Sequence, residues 1–191
     1  ISIREHKKLS ELGVDLKIVD PEGNEVAIGE TGEIISRGPF LMSGYYDNEI
    51  ETNAYFPNGD GWGWTGDLAK KDADGFITLV GRSKDMIVSG GVNIYPREVE
   101  IVLEGHDAII DCTVFGIPDD QWGEALVAYV VSGQGSALDE GAILDHCTEH
   151  LARFKRPKHI RIVDSISKTP SGKVQKPILR ETFLRELPSP D

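Results

Sequence analysis

The sequence predicts an α+β fold in two parts, a small distorted β-barrel-like subdomain followed by a mixed α+β domain. Short runs with a period of two, separated by Gly-rich turns, dominate the first part, as is typical of small barrels or folded sheets. After residue 84 the pattern becomes βαββαβα, which fits a small α+β sheet domain better than parallel βαβ units. We therefore predict domains over 1–81 and 82–191.

The strands of the first part are short alternating runs that end at turn formers. The clearest run ends at Asp20-Pro21-Glu22-Gly23-Asn24, a composition that favours a turn. The other runs are bounded by glycines. Strands are predicted over 14–19, 33–37 and 76–80.

The second part alternates helical and strand patterns. A helix is predicted over 96–103, because Pro96 suits its first turn and Gly105 suits a C-cap. Another is predicted from about 138 to 153, with Ser136 as its N-cap. A terminal helix follows Pro177, and strands are predicted over 108–116, 125–131 and 159–163. The last two helices are expected to bury Ile143, Cys147, Leu151, Leu179, Phe183 and Leu187.

Composition excludes several classes of protein. The chain has 191 residues, 39% apolar and 27% charged, with a formal net charge of −12, which argues against binding to nucleic acid or anionic membranes. No apolar run approaches the roughly 20 residues of a membrane span, and no secretory leader is visible, so we expect a cytoplasmic protein. His146 and His150 form an i,i+4 pair without an HExxH pattern, which favours a surface helix over a zinc site.

One basic stretch stands out against this acidic background. Five fixed positive charges fall within the nine residues 153–161, at Arg153, Lys155, Arg156, Lys158 and Arg161. A lone cluster of this kind is either a solvated edge or a site for an anionic, phosphorylated ligand. The sequence of the cluster alone leaves both interpretations open.

Three motifs contain residues suited to binding a nucleotide. Asp67, at the end of a predicted Thr-Gly turn, could accept hydrogen bonds from a vicinal diol, and Arg82 could hold a phosphate or sugar oxygen. Gly90-Gly91 would let backbone approach a ligand closely, and Lys173 lies in a Pro-Ser-Gly loop. Taken singly, each could equally be a capping Asp, a surface Arg, a turn or a solvated Lys. The motifs span 61–67, 81–100 and 168–176.

In this order and spacing the motifs resemble those of the adenylate-forming enzymes, which include acyl-CoA synthetases, peptide-synthetase adenylation domains and beetle luciferases. The resemblance runs from about Val14 to Leu187 and includes 32–38 and 44–46. The 90–100 segment, Gly-Gly-Val-Asn-Ile-Tyr-Pro-Arg-Glu-Val-Glu, resembles acyl- and aryl-CoA synthetases more than peptide-synthetase adenylation domains.

The resemblance implies a role for each motif residue. Asp67 would bind the ribose of ATP and of the acyl-adenylate, and Arg82 would contact the same nucleotide. Lys84 matches a hinge near 82–85, about which the second domain swings between two half-reactions. Lys173 matches the catalytic lysine that bridges the carboxylate and the α-phosphate during adenylation.

The same resemblance implies a CoA site. The Ser89-Gly90-Gly91 loop would line the pantetheine channel in the second conformation. The segment Phe154-Lys155-Arg156-Pro157-Lys158 would lie near the CoA nucleotide, which favours the phosphate-site interpretation of the basic stretch.

The implied substrates are ATP, CoA and a carboxylic acid, with Mg2+ ligands expected in an N-terminal portion and none in this chain. No phosphate loop or Tyr-Gly-x-Thr-Glu segment occurs here, so we expect a fragment that is inactive without its N-terminal portion. Whether the protein forms a homodimer is left open by the sequence. The alternatives are a ligase with a carrier-protein or other acceptor, and a non-catalytic module that binds a nucleotide or a partner.

Overall fold

A computed structural model of the protein describes residues 2–3, 13–133 and 138–187. It divides into two compact units, Ile1–Lys84 and Asp85–Asp191, and each is described by itself. Both combine helices with sheets whose pairings are mostly antiparallel, so the predicted α+β class is confirmed.

The first unit is built on an open five-stranded antiparallel sheet of order β1-β5-β4-β3-β2. No strand pairing in the described residues closes this sheet. The predicted barrel-like subdomain is therefore an open sheet. Its elements are β1 Ser2–Ile3, β2 Asp15–Val19, β3 Thr31–Arg37, helix α1 Glu49–Tyr55, β4 Gly63–Lys71 and β5 Ile77–Arg82.

Alternation along the strands builds the core of the first unit. Ile18, Ile34, Ala69 and Ile77 come from four different strands and pack into one apolar cluster, because alternate side chains of a strand share a face. A 3₁₀ turn, Ser83–Asp85, follows β5 directly. Asp67 within β4 and Arg82 at the end of β5, the residues predicted to bind the nucleotide, therefore stand on a packed sheet.

The second unit has β9 at the centre of its sheet. β9 pairs antiparallel with β8 and β6 and parallel with β10, and β6 pairs with β7. The elements are β6 Ile87–Ser89, β7 Val92–Ile94, α2 Pro96–Glu104, β8 Ile109–Asp119, β9 Gly123–Ser132, α3 Glu140–His150, β10 His159–Ile162 and α4 Lys176–Glu186.

Helices cover both faces of this sheet. Val114 belongs to the cluster formed with α2 and α3, whereas its neighbour Phe115 belongs to the cluster formed with α4. Phe183 of α4 is fully buried, and burial of such a side chain stabilises the fold by about 1.5–3 kcal/mol. Since β8 and β9 are buried on both faces, their sequences are nearly continuous apolar runs.

The predicted helix after residue 138 differs at both ends. It begins at Glu140, where Asp139 is the N-cap and accepts from the amide of Ala142 at 2.8 Å, so the prediction of Ser136 as the cap is wrong. Ser136 itself lies outside the described residues. The helix ends at His150 because Leu151 is extended, and the predicted end at 153 is too late.

Helix α1 and strand β4 are among the elements that the sequence patterns do not predict. Helix α1 has no buried residue and therefore no apolar stripe, and β4 begins within Gly-Trp-Gly-Trp-Thr-Gly.

In the part of the chain that the structure describes, no helix is both long and apolar enough to cross a membrane.

Candidate functional site

Asp67 and Arg82 form an ion pair on adjacent strands of the first unit. They are register partners on β4 and β5, and Arg82 Nε lies 2.8 Å from Asp67 Oδ1. Both side chains are partly exposed, and one oxygen of the carboxylate stays available as an acceptor. The arrangement can bind a hydroxyl group beside a fixed positive charge.

A bulge places Asp67 at this position. Gly66 has a φ of +72°, a left-handed conformation that favours glycine. Its amide donates to Glu33 Oε1 at 2.8 Å, and the Thr65 hydroxyl donates to Ile34 O at 2.7 Å. Asp67 therefore lies within a strand after a bulge, and the prediction of a Thr-Gly turn is wrong in this detail.

A cavity of about 480 Å³ adjoins this pair in the first unit. Arg82 and Lys84 line it together with aromatic side chains, while Asp67 lies outside the lining. Lys84 is exposed on the 3₁₀ turn Ser83–Asp85, and the first unit ends at this residue. The aromatic lining residues are Tyr45, Tyr55 and Trp64.

Lys173 stands on a small hydrogen-bonded hairpin of the second unit. The amide of Thr169 donates to Lys173 O at 2.8 Å, and the amide of Gly172 donates to Thr169 O at 2.8 Å. Gly172 has a φ of +81°, as the three-residue hairpin loop with a left-handed glycine requires. The exposed Lys173 ammonium has no polar partner among the described residues.

Gly90 and Gly91 form the two-residue turn of the β6–β7 hairpin. Their φ values are +58° and +79°, and Ser89 pairs with Val92 across the turn. Two consecutive positive φ angles are the signature of the type I′ turn, which favours glycine at both positions. The Gly90 amide donates to Trp122 O at 2.8 Å, which fixes the hairpin against the β8–β9 turn.

The glycine hairpin borders a pocket of about 570 Å³ that lies wholly within the second unit. Trp122 and Phe154, about half exposed at 50% and 48%, offer aromatic surface to it. Arg153, Arg156 and Lys158 add positive charge. The pocket thus combines aromatic faces with cations, a combination that suits a nucleotide with its phosphates.

The positively charged side chains of the basic stretch differ in the ion pairs and hydrogen bonds that they form within the protein. Lys155 pairs with Glu98, and Lys158 Nζ lies 2.5 Å from Asp119 Oδ2. The hydrogen bond from Lys158, followed by those from the Trp122 and Gln121 amides, lowers the pKa of the Asp119 carboxyl.

The two arginines of the pocket contrast with each other. Arg156 donates from Nε to Leu151 O at 3.1 Å and from Nη2 to Thr148 O at 3.2 Å, so it caps the end of α3. Arg153 is exposed and has no polar partner among the described residues. Its guanidinium is therefore available to bind an anionic group in this pocket.

The structure brings most of the predicted CoA residues together. Ser89, Gly90, Phe154, Arg156 and Lys158 line the pocket, whereas Gly91 and Lys155 are not among its lining residues. Sequence reasoning missed Trp122, whose position in the polar run Asp119-Asp120-Gln121-Trp122-Gly123 was the available signal. A large aromatic residue in a polar turn has no core to enter and is a candidate contact for a ligand.

The histidines and cysteines do not form a metal site in the described residues. No cluster of three or more His, Cys, Asp and Glu side chains there could hold a metal ion. The rings of His146 and His150 lie 4.5 Å apart, but His146 Nε2 lies 2.8 Å from Val102 O and His150 Nδ1 lies 2.9 Å from His146 O. Burial raises the pKa of the Cys112 thiol to about 12 and that of Cys147 to about 11, so both thiols stay protonated.

The sequence matches two family models. Residues 98–173 match the AMP-binding enzyme C-terminal domain, and residues 8–46 match the AMP-binding enzyme model. The first match includes Glu100, Trp122, the basic stretch and Lys173.

Individual proteins are similar over most of this chain. A 3-[(3aS,4S,7aS)-7a-methyl-1,5-dioxo-octahydro-1H-inden-4-yl]propanoyl:CoA ligase of Rhodococcus jostii is 45% identical over 159 residues, which are 83% of this chain. The crystal structure of ATP-bound MatB from Rhodopseudomonas palustris superposes with a TM-score of 0.84 at 37% identity over 90% of this chain. The anthranilate CoA ligase AuaEII in complex with anthranoyl-AMP superposes with a TM-score of 0.82 at 36% identity over 92%.

These similarities cover only part of the other proteins. The chain spans about a third of each, namely 31% of the Rhodococcus ligase and 34% of both the MatB and the AuaEII chains.

Proposed function

Because this chain belongs to the AMP-binding enzymes and carries their C-terminal domain over 98–173, we propose that it is the C-terminal part of an acyl- or aryl-CoA synthetase. The enzyme would be an AMP-forming acid–thiol ligase. In the first step a carboxylate attacks the α-phosphate of ATP and pyrophosphate leaves. In the second the thiol of CoA attacks the acyl carbon and AMP leaves.

Asp67, Arg82 and Lys173 would serve the first step. The free oxygen of the Asp67 carboxylate can accept from ribose hydroxyls, and its pairing with Arg82 at 2.8 Å holds it in place. Lys173 would place its unpaired ammonium between the carboxylate and the α-phosphate. Charge that develops on those oxygens is stabilised by a donor that is already oriented.

The pocket of the second unit would serve the second step, and it is the observation that carries the choice of CoA as acceptor. Trp122 and Phe154 offer faces on which an adenine can stack. Arg153 and Lys158, which line the same pocket, would bind its phosphates. The Gly90-Gly91 hairpin beside them would border the path of the pantetheine arm.

Lys84 would act as the hinge between the two steps, since Lys173 must leave before the glycine hairpin can arrive. This proposal uses domains over 1–81 and 82–191 with the hinge near 82–85. No cluster of acidic, histidine or cysteine side chains in the described residues suits a metal ion, and the Mg2+ ligands would come from the expected N-terminal portion. The cytoplasmic location and a homodimer stay predictions.

The acid is not fixed by this chain. Its relatives include ligases named for a bicyclic propanoate, for medium- and long-chain fatty acids and for anthranilate. Because residues that would bind the acyl group belong to the expected N-terminal portion, we propose the class, a carboxylic acid, and no member of it.

Binding of CoA to this 191-residue chain tests the proposal, because the pocket lies within one unit. Replacing an aromatic residue that stacks on a base costs about 1–3 kcal/mol, so Trp122→Leu should raise the Kd for CoA roughly ten- to a hundredfold. The hydrogen bond from Gly90 to Trp122 is made by the backbone and survives the change.

The measurement is isothermal titration of CoA into wild type and variant. Trp62→Leu is the matched control, since Trp62 belongs to the first unit and contacts Lys17 and Arg37. The proposal predicts unchanged affinity for this control. Equal affinity of wild type and Trp122→Leu, or no binding to wild type, would favour a carrier protein or another acceptor.

A further inference from the structure

Glu100 of α2 makes contacts to three parts of the second unit. Its Oε1 accepts from the Val114 amide of β8 at 3.1 Å and from the Thr113 hydroxyl at 3.4 Å. The same oxygen lies 3.0 Å from Nζ of Lys176, the first residue of α4. Arg97 Nη1 lies 3.8 Å from the other oxygen. One carboxylate thus joins α2, β8 and the start of α4.

Lys176 and Lys168 lie at the two ends of the hairpin that carries Lys173. Lys168 Nζ lies 2.6 Å from Asp111 Oδ2 of β8. The two arms of the hairpin are joined by a β-bridge between Lys168 and Val174 and by a hydrogen bond from the Gln175 amide to Ser167 O at 3.1 Å. Two ion pairs therefore fasten a short, internally bonded hairpin, one to helix α2 and the other to strand β8.

The pair at Glu100 is the more shielded of the two. Its side chains are 12% and 19% exposed, against 34% and 39% for Asp111 and Lys168. Shielding from water strengthens an ion pair but requires that its groups be hydrogen-bonded, and Glu100 meets this condition through Val114 and Thr113. If Glu100 served only to accept the hydrogen bond from the Val114 amide of β8, its ion pair with Lys176 would not be needed.

We infer that Glu100 is a positioning residue, which holds the Lys173 hairpin through Lys176 so that the ammonium is delivered in a fixed place during adenylation. The inference rests on the proposed function of Lys173. Electrostatic stabilisation depends on a donor that is oriented before the reaction, and a displacement of about 1 Å can cost up to about a hundredfold in rate.

Glu100→Gln in the longer enzyme proposed above tests the inference. The amide oxygen of Gln can still accept from Val114, while the ion pair to Lys176 is lost. We expect adenylation, measured as pyrophosphate release, to slow by about tenfold, and thiolysis of supplied acyl-adenylate to stay within about twofold of wild type. Lys176→Met should have the same effect, and the double variant should be no slower than either single variant.

Glu104→Gln is the matched control. Glu104 lies on the same helix and pairs with Arg97 at 2.6 Å, so the change removes the same charge and one ion pair without touching Lys176. Its adenylation rate should match wild type. Thermal unfolding of the 191-residue chain with each substitution checks that Glu100→Gln folds.

The decisive comparison uses the Lys173→Ala background. If Glu100 acts through Lys173, adding Glu100→Gln to Lys173→Ala costs no further adenylation rate. A loss that persists in that background, an unchanged rate for Glu100→Gln alone, or equal losses in both half-reactions would overturn the inference and leave the proposed function standing. Full adenylation by Lys173→Ala alone would overturn the role of Lys173 and the inference with it.

Discussion

His159, the first residue of β10, shows how burial of a single side chain affects stability. Its ring lies 5.3 Å from that of Phe183. Burial, followed by the neighbouring charges of Lys158 and Arg161, lowers the pKa of the imidazole below its ordinary 6.5. Folding therefore favours neutral His159.

The sign of the pH effect follows from this shift. The unfolded chain binds a proton at His159 near pH 6.5 and the folded chain only at lower pH, so stability is fully present above 6.5 and is lost as the pH falls through it. We expect His159→Gln to lose less unfolding free energy than wild type between about pH 7.5 and about pH 5.5. Urea unfolding at both pH values measures this, and parallel losses in the two proteins would contradict it.

At the scale of elements, Arg156 is expected to stabilise α3. Its guanidinium caps Leu151 O and Thr148 O, and hydrogen bonds of a charged donor contribute about 1.5–3 kcal/mol each at most. Arg156→Ala should therefore lower the free energy of unfolding by about 1–3 kcal/mol. Any loss of CoA affinity in this variant includes that structural change.

Arg153→Ala is the control for this prediction. Arg153 lines the same pocket and has no polar partner among the described residues, so its removal should leave the unfolding free energy within about 0.5 kcal/mol. Urea unfolding of the two variants gives the comparison. Equal stabilities would mean that the Arg156 cap contributes nothing measurable.

Elements with one clear pattern were predictable from sequence, whereas contacts between distant residues were not. The β8 and β9 runs follow from apolar patterns, and helix α2 follows from Pro96 in its first turn and Gly105 at its end. The pair Glu100–Lys176 joins residues 76 positions apart. Trp122 and Phe154 line one pocket although β9 and α3 lie between them in the sequence. No local spacing encodes such contacts.

Turn-rich segments caused the other differences. The sequence around Asp67 predicts a turn because glycines surround it, yet a bulge fixed by Glu33 continues β4 through it. For Gly90-Gly91, the sequence predicts a close approach of backbone to a ligand. Both residues have positive φ angles, so the turn by itself is enough to require glycine at these positions. Local composition marks such places without deciding between turn, bulge and site.

At the scale of the whole molecule, the proposed residues are distributed over two units. Asp67 and Arg82 belong to Ile1–Lys84, while Lys173, the glycine hairpin and the aromatic pocket belong to Asp85–Asp191. Within the second unit, Lys173 stands on the hairpin before α4 and the pocket lies beside the β6–β7 hairpin. An enzyme that needs each group in a different step must move this unit between steps, and this is the central claim.

Lys173→Ala in the longer enzyme, with both half-reactions measured separately, tests that claim most directly. We expect adenylation to slow by about two to three orders of magnitude, the usual cost of one lost electrostatic donor. Thiolysis of a supplied acyl-adenylate should keep nearly its wild-type rate, because Lys173 has left the site by then. Equal losses in the two half-reactions would mean that Lys173 is a structural residue and that this unit does not move between the steps.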